Sequence, residues 1–222
     1  MGLMQRIQRF SNPKFQKMGQ VFSSNQSFTL LDVGAGNRSA SKTKAVFPAC
    51  RYYGLDIDRS TNYTEADFAQ MEQFYELDLT KLDLSVLPDA FFDYINMAHV
   101  MEHLHNGDAV FPLLVQKLKP GGHFYIEYPG AKSLTLPSMH GTLNFHDDPT
   151  HVRVYSVAEF TGLAERHGCR VLASGTRRNG VYMLAMPLRI VGAWIQGKKP
   201  LANVFWDILG FAEYLFIQRV AR

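Results

Sequence analysis

The chain has 222 residues, 46% hydrophobic and 19% charged, which is enough apolar material for one self-sufficient core and too short for two large domains. Two cysteines, Cys50 and Cys169, exclude a disulfide framework and form no CxxC metal pair, which points to a reducing, cytoplasmic setting. Lysine and arginine exceed aspartate and glutamate by 23 to 20, but Arg6, Arg9, Lys14 and Lys17 carry that excess, so the body lacks the basic face of a nucleic-acid binder.

Residues 1–24 read as a basic N-terminal segment, frayed or lying on the surface. Arg6, Arg9, the Asn12-Pro13 break and Lys14 interrupt the apolar core a secretory signal needs, and Arg6 stands where a myristoylation site has Ser or Thr. Residues 25–222 form the remaining domain. Strand patterns fall at 28–33, ending in Gly34-Ala35-Gly36, and at 51–57, ending in acid; between them 41–47 allows a short helix stopped by Pro48. After a polar stretch, residues 74–79 read as a short strand with Asp78 near its end, and 91–97 as the next strand. Residues 108–118 have helical periodicity and meet the stop signal Lys119-Pro120-Gly121-Gly122, followed by a strand at 123–128. A helix at 157–167, a strand at 169–173 and a last strand at 213–221 complete an alternation that argues for a mostly parallel sheet wrapped by helices. Residues 181–210 are an apolar insertion, read as a lid or as an interface such as that of a homodimer. No apolar run spans a bilayer, because Arg189, Asp207 and Glu213 interrupt the best candidates.

In open α/β sheets ligands sit outside the carboxyl ends of the strands, so Gly34, Gly36, Asp56, Asp78, Ala98 and His99 are the positions of interest. Gly34 and Gly36 let the backbone pass close to a ligand and aim its amides at it. A phosphate-binding P-loop is excluded because no Gly-Lys-Ser/Thr ends the turn. A dinucleotide site would want a third glycine where the chain has Ser39. S-adenosylmethionine carries no pyrophosphate and needs no such glycine. Asp56 follows about 20 residues later at a strand end, where an acid can accept hydrogen bonds from both ribose hydroxyls.

These features, in this order, resemble the class I S-adenosylmethionine-dependent methyltransferases, in particular the small soluble ones. The resemblance runs over 28–178 and rests on LLDVGAGN at 30–37, YGLDI at 53–57, YELDL at 75–79, FFDYINMAHVMEHL at 91–104, LKPGG at 118–122 and HVRVYSVAEFTGLAERHGCRV at 151–171. It implies a Rossmann-like, doubly wound, mostly parallel sheet of about seven strands with a C-terminal antiparallel strand. It further implies that Asp32, Gly34 and Gly36 surround the methionine half of the cofactor, Asp32 helping to hold its ammonium. Asp56, with Ile57 beside it, would take the ribose, Asp78 and Leu79 the adenine, and Ala98 and His99 would border the methyl group. Asn37-Arg38-Ser39 departs from the family's glycine pattern.

Methyl transfer from a sulfonium is an in-line displacement, so the protein positions the acceptor and, for a hydroxyl, removes a proton. Histidine suits that task. His146 and His151, with Asp147 or Asp148 as orienter, are the candidates, in the loop that crosses the cofactor in this architecture. His99, His103 and His105 read as structural or cleft-lining residues, and no metal is expected; a His/Asp metal site for catechol-like acceptors is the minor alternative in the 144–151 loop. No Asn/Asp-Pro-Pro-Tyr/Phe motif follows 91–97, which disfavours methylation of nucleic-acid bases or glutamine. The reaction expected is methyl transfer to a small molecule at oxygen. The apolar insertion, with Tyr182, Met183, Phe205 and Trp206, suggests an apolar or aromatic acceptor. The competing reading is a catalytically silent cofactor-binding partner or regulatory subunit, and either could be peripheral to a membrane.

Overall fold

The structure, a computed structural model, describes residues 11–60 and 63–220; Arg6 and Arg9 lie outside the described residues. The chain opens on helix α1 (Pro13–Val21), whose Asn12 side chain accepts from the Lys14 amide and whose first position holds proline, the residue best suited there. Over residues 11–24 this corrects the reading of that stretch as frayed or surface-lying. Phe15, Met18 and Phe22 are buried, and Phe22 stacks on Phe28 at 3.9 Å. Its lysines serve the fold: Lys14 turns toward Asp32, and Lys17 lies over the rings of Tyr214 and Phe216.

The sheet has seven strands in the order β3-β2-β1-β4-β5-β7-β6. They are β1 (Phe28–Val33), β2 (Cys50–Asp56), β3 (Gln73–Glu76), β4 (Phe92–Ala98), β5 (Leu118–Pro129), β6 (Cys169–Thr176) and β7 (Ala212–Arg219). The first five pair in parallel, and β7 runs antiparallel to both β5 and β6. Every residue of β1 is buried, as expected of a central parallel strand covered on both faces. Alternation sorts its side chains. Leu31 and Val33 join Ile95, Met97, Phe124 and Ile126 under α4 (Gly107–Lys117) and α5 (Val157–Arg166), whereas Leu30 joins Tyr52, Tyr94 and Tyr125 under α1 and α2 (Ser39–Val46).

Local differences have physical reasons. The third strand stops at Glu76, because Asp78 caps a 3-10 turn over Leu79–Lys81. The stretch after β2 contains a one-turn helix, α3 (Glu65–Phe68), closed by a Thr64–Asp67 capping box. Lys119-Pro120-Gly121-Gly122 lies within β5 rather than before it: Leu118 already pairs with Phe92, and an irregular register absorbs the glycines before His123 pairs with Tyr94. Cys50 and Cys169 are buried free thiols, and burial pushes them up to about 12 and about 11.

The 181–210 segment divides in two. Residues 202–209, a 3-10 turn (Ala202–Val204) followed by α7 (Trp206–Leu209), pack on Leu136, Leu143 and Phe211. Ahead of them α6 (Gly180–Ile195), started by the Asn179 side chain accepting from the Tyr182 amide, has no buried residue. No helix among the described residues is long and apolar enough to cross a membrane.

Because β2 and β3 continue to one side of β1 and β4 lies on the other, the strand order reverses between β1 and β4. That switch point places a crevice at the carboxyl ends of β1, β2 and β4.

Candidate active site

Gly34 ends β1 with φ +72°, and a Cβ there would come within 2.4 Å of the Val100 side chain, so the position demands glycine. The amides of Gly34 and Ala35 both donate to the Leu55 carbonyl, at 2.8 and 3.3 Å, and tether the loop to β2. Where the family has further glycine, Asn37 and Arg38 adopt left-handed conformations, φ 56° and 61°. Asparagine tolerates this better than arginine.

The loop forms one wall of a cavity of about 450 Å³. Gly34, Gly36, Asp56, Ile57, Asp78, Leu79, Ala98 and His99 all line it, so eight of the nine residues expected to meet a cofactor share one space. The Asp56 carboxylate accepts from the Ile57 amide through one oxygen (2.8 Å) and from the Tyr63 hydroxyl through the other (2.7 Å), which leaves lone pairs on both. One Asp78 oxygen accepts from the Thr80 hydroxyl and amide, and these bonds hold the carboxyl below its usual range. Its other oxygen lies 3.9 Å from the Lys81 ammonium. Ile57 is 64% exposed, an apolar side chain held open at the rim. Tyr63 was not singled out from the sequence; only the folded chain brings it to Asp56.

Asp32 is the exception. It is buried, and its oxygens accept from the Ser39 hydroxyl (2.5 Å), the Tyr52 hydroxyl (2.6 Å) and the Asn96 amide (2.5 Å), with the Lys14 ammonium 3.6 Å away. The expected ligand for an ammonium is thus a hub joining α1, β1, α2, β2 and β4. It forms part of the wall of a second cavity, of about 510 Å³, which adjoins the first through Gly34, Gly36, Asn37, Ala98 and His99.

The second cavity is lined by charge: Lys14, Lys42, Arg177 and Arg189 against Asp32 and Glu127. In its lining His99, with φ 56°, faces Glu102 with Nδ1 (3.2 Å) and Glu127 with Nε2 (3.1 Å). Burial alone would lower the imidazole, but the two carboxylates outweigh it and raise its pKa to about 9. With both ring N–H groups taken by carboxylates, His99 is no general base at neutral pH. Burial likewise disfavours the Glu127 carboxylate, yet Arg177 at 3.2 Å, His99 and the Tyr125 hydroxyl at 2.6 Å hold it at about 2. Sequence reasoning missed Glu102, Glu127 and Arg177. The available signal was a lone acid in the apolar run of β5.

The 144–151 loop separates the expected catalytic residues. Asp147 accepts from the amides of Met139, Leu143 and Asn144 at 2.8–2.9 Å, so it locks the loop and orients no histidine. Although desolvation would raise it, the Met139 amide, the Ser138 hydroxyl and the other donors hold its carboxyl at about 2. His146 is exposed and lines none of the cavities around His99: its amide donates to the Asn144 side chain, and its ring lies edge-on to Phe145. His151 does reach the cleft. Its side chain is 5% exposed and lines a third cavity, of about 200 Å³, with His99, Glu102, His103 and Trp206. Its nearby acid is Asp148, with Nε2 3.9 Å from the carboxylate. Of the residues expected in the insertion, Tyr182 and Trp206 line the second cavity, whereas Met183 and Phe205 do not.

Residues 2–174 match the model of a family described as methyltransferase domain. No curated protein matches the chain. Among solved structures, the methyltransferase bound to the Trm112 methyltransferase activator of Haloferax volcanii superposes with a TM-score of 0.66 at 14% identity, covering 98% of this chain and 92% of that one. A SAM-dependent methyltransferase from Archaeoglobus fulgidus gives 0.58 at 18% identity, over 97% and 98%. Phosphoethanolamine N-methyltransferase 2 of Haemonchus contortus, in complex with S-adenosyl-L-methionine, gives 0.62 at 17% identity, over 93% of this chain and 52% of that one. With the glycine turn, the strand-end acids and the seven-strand order already in place, the chain belongs to the methyltransferase domain family, and its sheet is the Rossmann-like fold of the class I S-adenosylmethionine-dependent enzymes.

Proposed function

We propose that the chain transfers a methyl group from S-adenosylmethionine to a hydroxyl oxygen of a small anionic acceptor. The observation that carries this is the pairing of two adjoining cavities: one with apolar walls and the Asp56 and Asp78 carboxylates, the other with more cations than carboxylates in its lining, meeting at Ala98 and His99. In the first, Asp56 would accept from the ribose hydroxyls and Asp78 from the adenine amine, with Ile57 and Leu79 against the ring. The Gly34 turn, which a Cβ would block, would admit the methionine portion. The cofactor supplies an electrophilic methyl group; the chain's own residues orient the acceptor and exclude water.

In the second cavity Lys14, Lys42, Arg177, Arg189 and the protonated His99 outnumber Asp32 and Glu127. The buried Nη1 of Arg189 has no hydrogen-bond partner. This lining suits a phosphate or carboxylate better than the apolar or aromatic acceptor expected from the insertion. The acceptor hydroxyl would be activated at the third cavity, where His151 and His103 stand with ring centroids 4.9 Å apart.

The test is mass spectrometry of reactions with S-adenosylmethionine and a panel of phosphorylated and carboxylated alcohols. Methyl ether products support the proposal, whereas a methyl ester would put the transfer on the anionic group instead. Cofactor binding with no product from any member would instead favour the silent, regulatory reading.

A further inference from the structure

We propose that Glu102, His103 and His151 form a binding site for a divalent transition-metal ion at the acceptor end of the cleft. The 3-10 turn after β4 (Met101–His103) buries Glu102 and presents His103 beside it. The returning loop is clamped there, because the amides of Val152 and Arg153 both donate to the Glu102 carbonyl, at 2.8 and 3.3 Å. One ligating atom from each of the three side chains lies within 4.8 Å of the other two.

The hydrogen bonds decide which ring nitrogens are free. His151 Nδ1 is 2.7 Å from the Phe145 carbonyl, an acceptor only, so that nitrogen carries the proton. His103 Nδ1 faces the Thr150 carbonyl (3.2 Å) and the Thr150 hydroxyl (2.9 Å), whose own proton goes to Asp148 (2.6 Å), so this nitrogen is also a donor. Both Nε2 atoms are therefore left with lone pairs. Anchoring of Nδ1–H by a backbone carbonyl is the arrangement that orients a metal-ligating histidine. Glu102 contributes the independent observation. Its Oε1 meets His99, while its Oε2 is buried with no hydrogen-bond partner.

Glu102, His103 and His151 thus converge while Glu102 Oε2 and both Nε2 atoms are the ones their other hydrogen bonds leave unengaged, and the Asp148 carboxylate lies 3.9 Å from His151 Nε2. A single proton could satisfy one pair of these acceptors; a divalent cation satisfies all three. Two imidazoles and one carboxylate suit zinc, manganese, iron or cobalt rather than calcium or magnesium. The third cavity leaves room for a further oxygen ligand.

This inference rests on the reading that the acceptor hydroxyl occupies that cavity. The ion would bind the hydroxyl oxygen and lower its pKa. The hydroxyl proton passes to Asp148 or solvent, the oxygen–carbon bond forms as the carbon–sulfur bond breaks, and the ion is unchanged.

The experiment titrates chelator-treated, tag-free protein with Zn²⁺, Mn²⁺ and Co²⁺ by calorimetry and records the visible spectrum of the Co²⁺ form. One ion per chain is expected. Glu102→Gln and His151→Ala should weaken it beyond the roughly 10- to 100-fold that even outer-shell losses cost, while His146→Ala leaves it unchanged; thermal unfolding checks that each variant is folded. Equal affinity in folded His151→Ala, or no ion bound by the wild type, overturns the site. S-adenosylhomocysteine titrated in parallel separates this failure from failure of the methyltransferase reading, because cofactor binding does not require the ion.

A second, independent observation is the outer face of α6. Val181, Leu184, Leu188, Val191 and Ile195 recur every three or four residues along it, all exposed, with Leu184 at 85%. Trp194 is exposed near its end, Lys198 and Lys199 follow, and no acid occurs between Arg177 and Asp207. We infer that this face lies in the interface of a membrane carrying anionic lipids, since an apolar stripe, a terminal tryptophan and uncompensated lysines match that surface. Co-sedimentation with phosphatidylglycerol vesicles should exceed that with phosphatidylcholine vesicles, fall with salt and be lost in Leu184→Glu/Leu188→Glu. Indifference to lipid charge, or a dimer in light scattering that the same double variant dissociates, would overturn the inference and assign the face to self-association.

Discussion

Replacing Asp32 by alanine separates a structural hub from a ligand contact. The substitution strands the Ser39 hydroxyl, the Tyr52 hydroxyl and the Asn96 amide in the interior and leaves the Lys14 ammonium without its carboxylate. Each stranded donor costs roughly 1–3 kcal/mol, and removing one partner of a buried charge pair costs about 3–5 kcal/mol. The donors share one carboxylate and can rearrange, so the terms do not add; about 3–5 kcal/mol is the expected total. For a domain of this size 1 kcal/mol moves Tm by roughly 2–4 °C, which gives a fall of about 6–20 °C by scanning calorimetry. Asp32→Asn, which keeps the volume and one acceptor, should fall less. A Tm within about 3 °C of wild type in the alanine variant, below what even 1 kcal/mol at the upper rate would produce, would show that Asp32 is not the hub described.

Asp56→Ala should behave oppositely, holding its Tm while weakening S-adenosylhomocysteine by about 10- to 100-fold in calorimetry, because two ribose hydroxyls lose a charged acceptor; unchanged affinity would place the ribose elsewhere. Gly34→Ala should lose cofactor affinity more completely, since φ +72° and the 2.4 Å approach to Val100 displace the turn itself; wild-type affinity would contradict the close approach. Asp147 is held at about 2 against an ordinary 3.8, so its contribution to stability is complete above the ordinary value and is lost as pH falls from there toward 2. Urea unfolding of Asp147→Asn should therefore show a deficit near about pH 6 that closes in acid; a deficit independent of pH would refute the lock. In a Trp194→Phe background the fluorescence of Trp206, whose indole donates to the Thr142 carbonyl between the second and third cavities, should respond to acceptor and much less to S-adenosylhomocysteine alone.

Apolar runs closed by glycine or acid made β1 and β2 readable, a further apolar run did the same for β4, and the strand-end rule then pointed to Gly34, Asp56 and Asp78 before any coordinates. Features that depend on meetings distant in sequence were not readable. Phe15 and Met18 are separated by polar residues, so the stretch reads as frayed or surface-lying until Phe28, Phe47 and Tyr94 are seen to receive it. His99 looked like a simple rim residue; its charge is set by Glu102 and Glu127, the latter on another strand. In the Asp147-Asp148 pair, spacing cannot say which carboxylate serves the backbone and which faces a histidine. The answer lies in amides at 139 and 143 that fold back onto the first. Nor does hydropathy show that α6 turns its apolar side outward, because burial belongs to the fold and not to the segment.

The central claim is that the crevice at the carboxyl ends of β1, β2 and β4 holds S-adenosylmethionine, and a crystal structure with S-adenosylhomocysteine tests it most directly. The account predicts ribose hydroxyls hydrogen-bonded to Asp56, the adenine between Ile57 and Leu79 with its amine at Asp78, and the sulfur directed toward Ala98 and His99. Density for the ligand in any other cavity, or an empty crevice at saturating ligand that NADH fills instead, would contradict it.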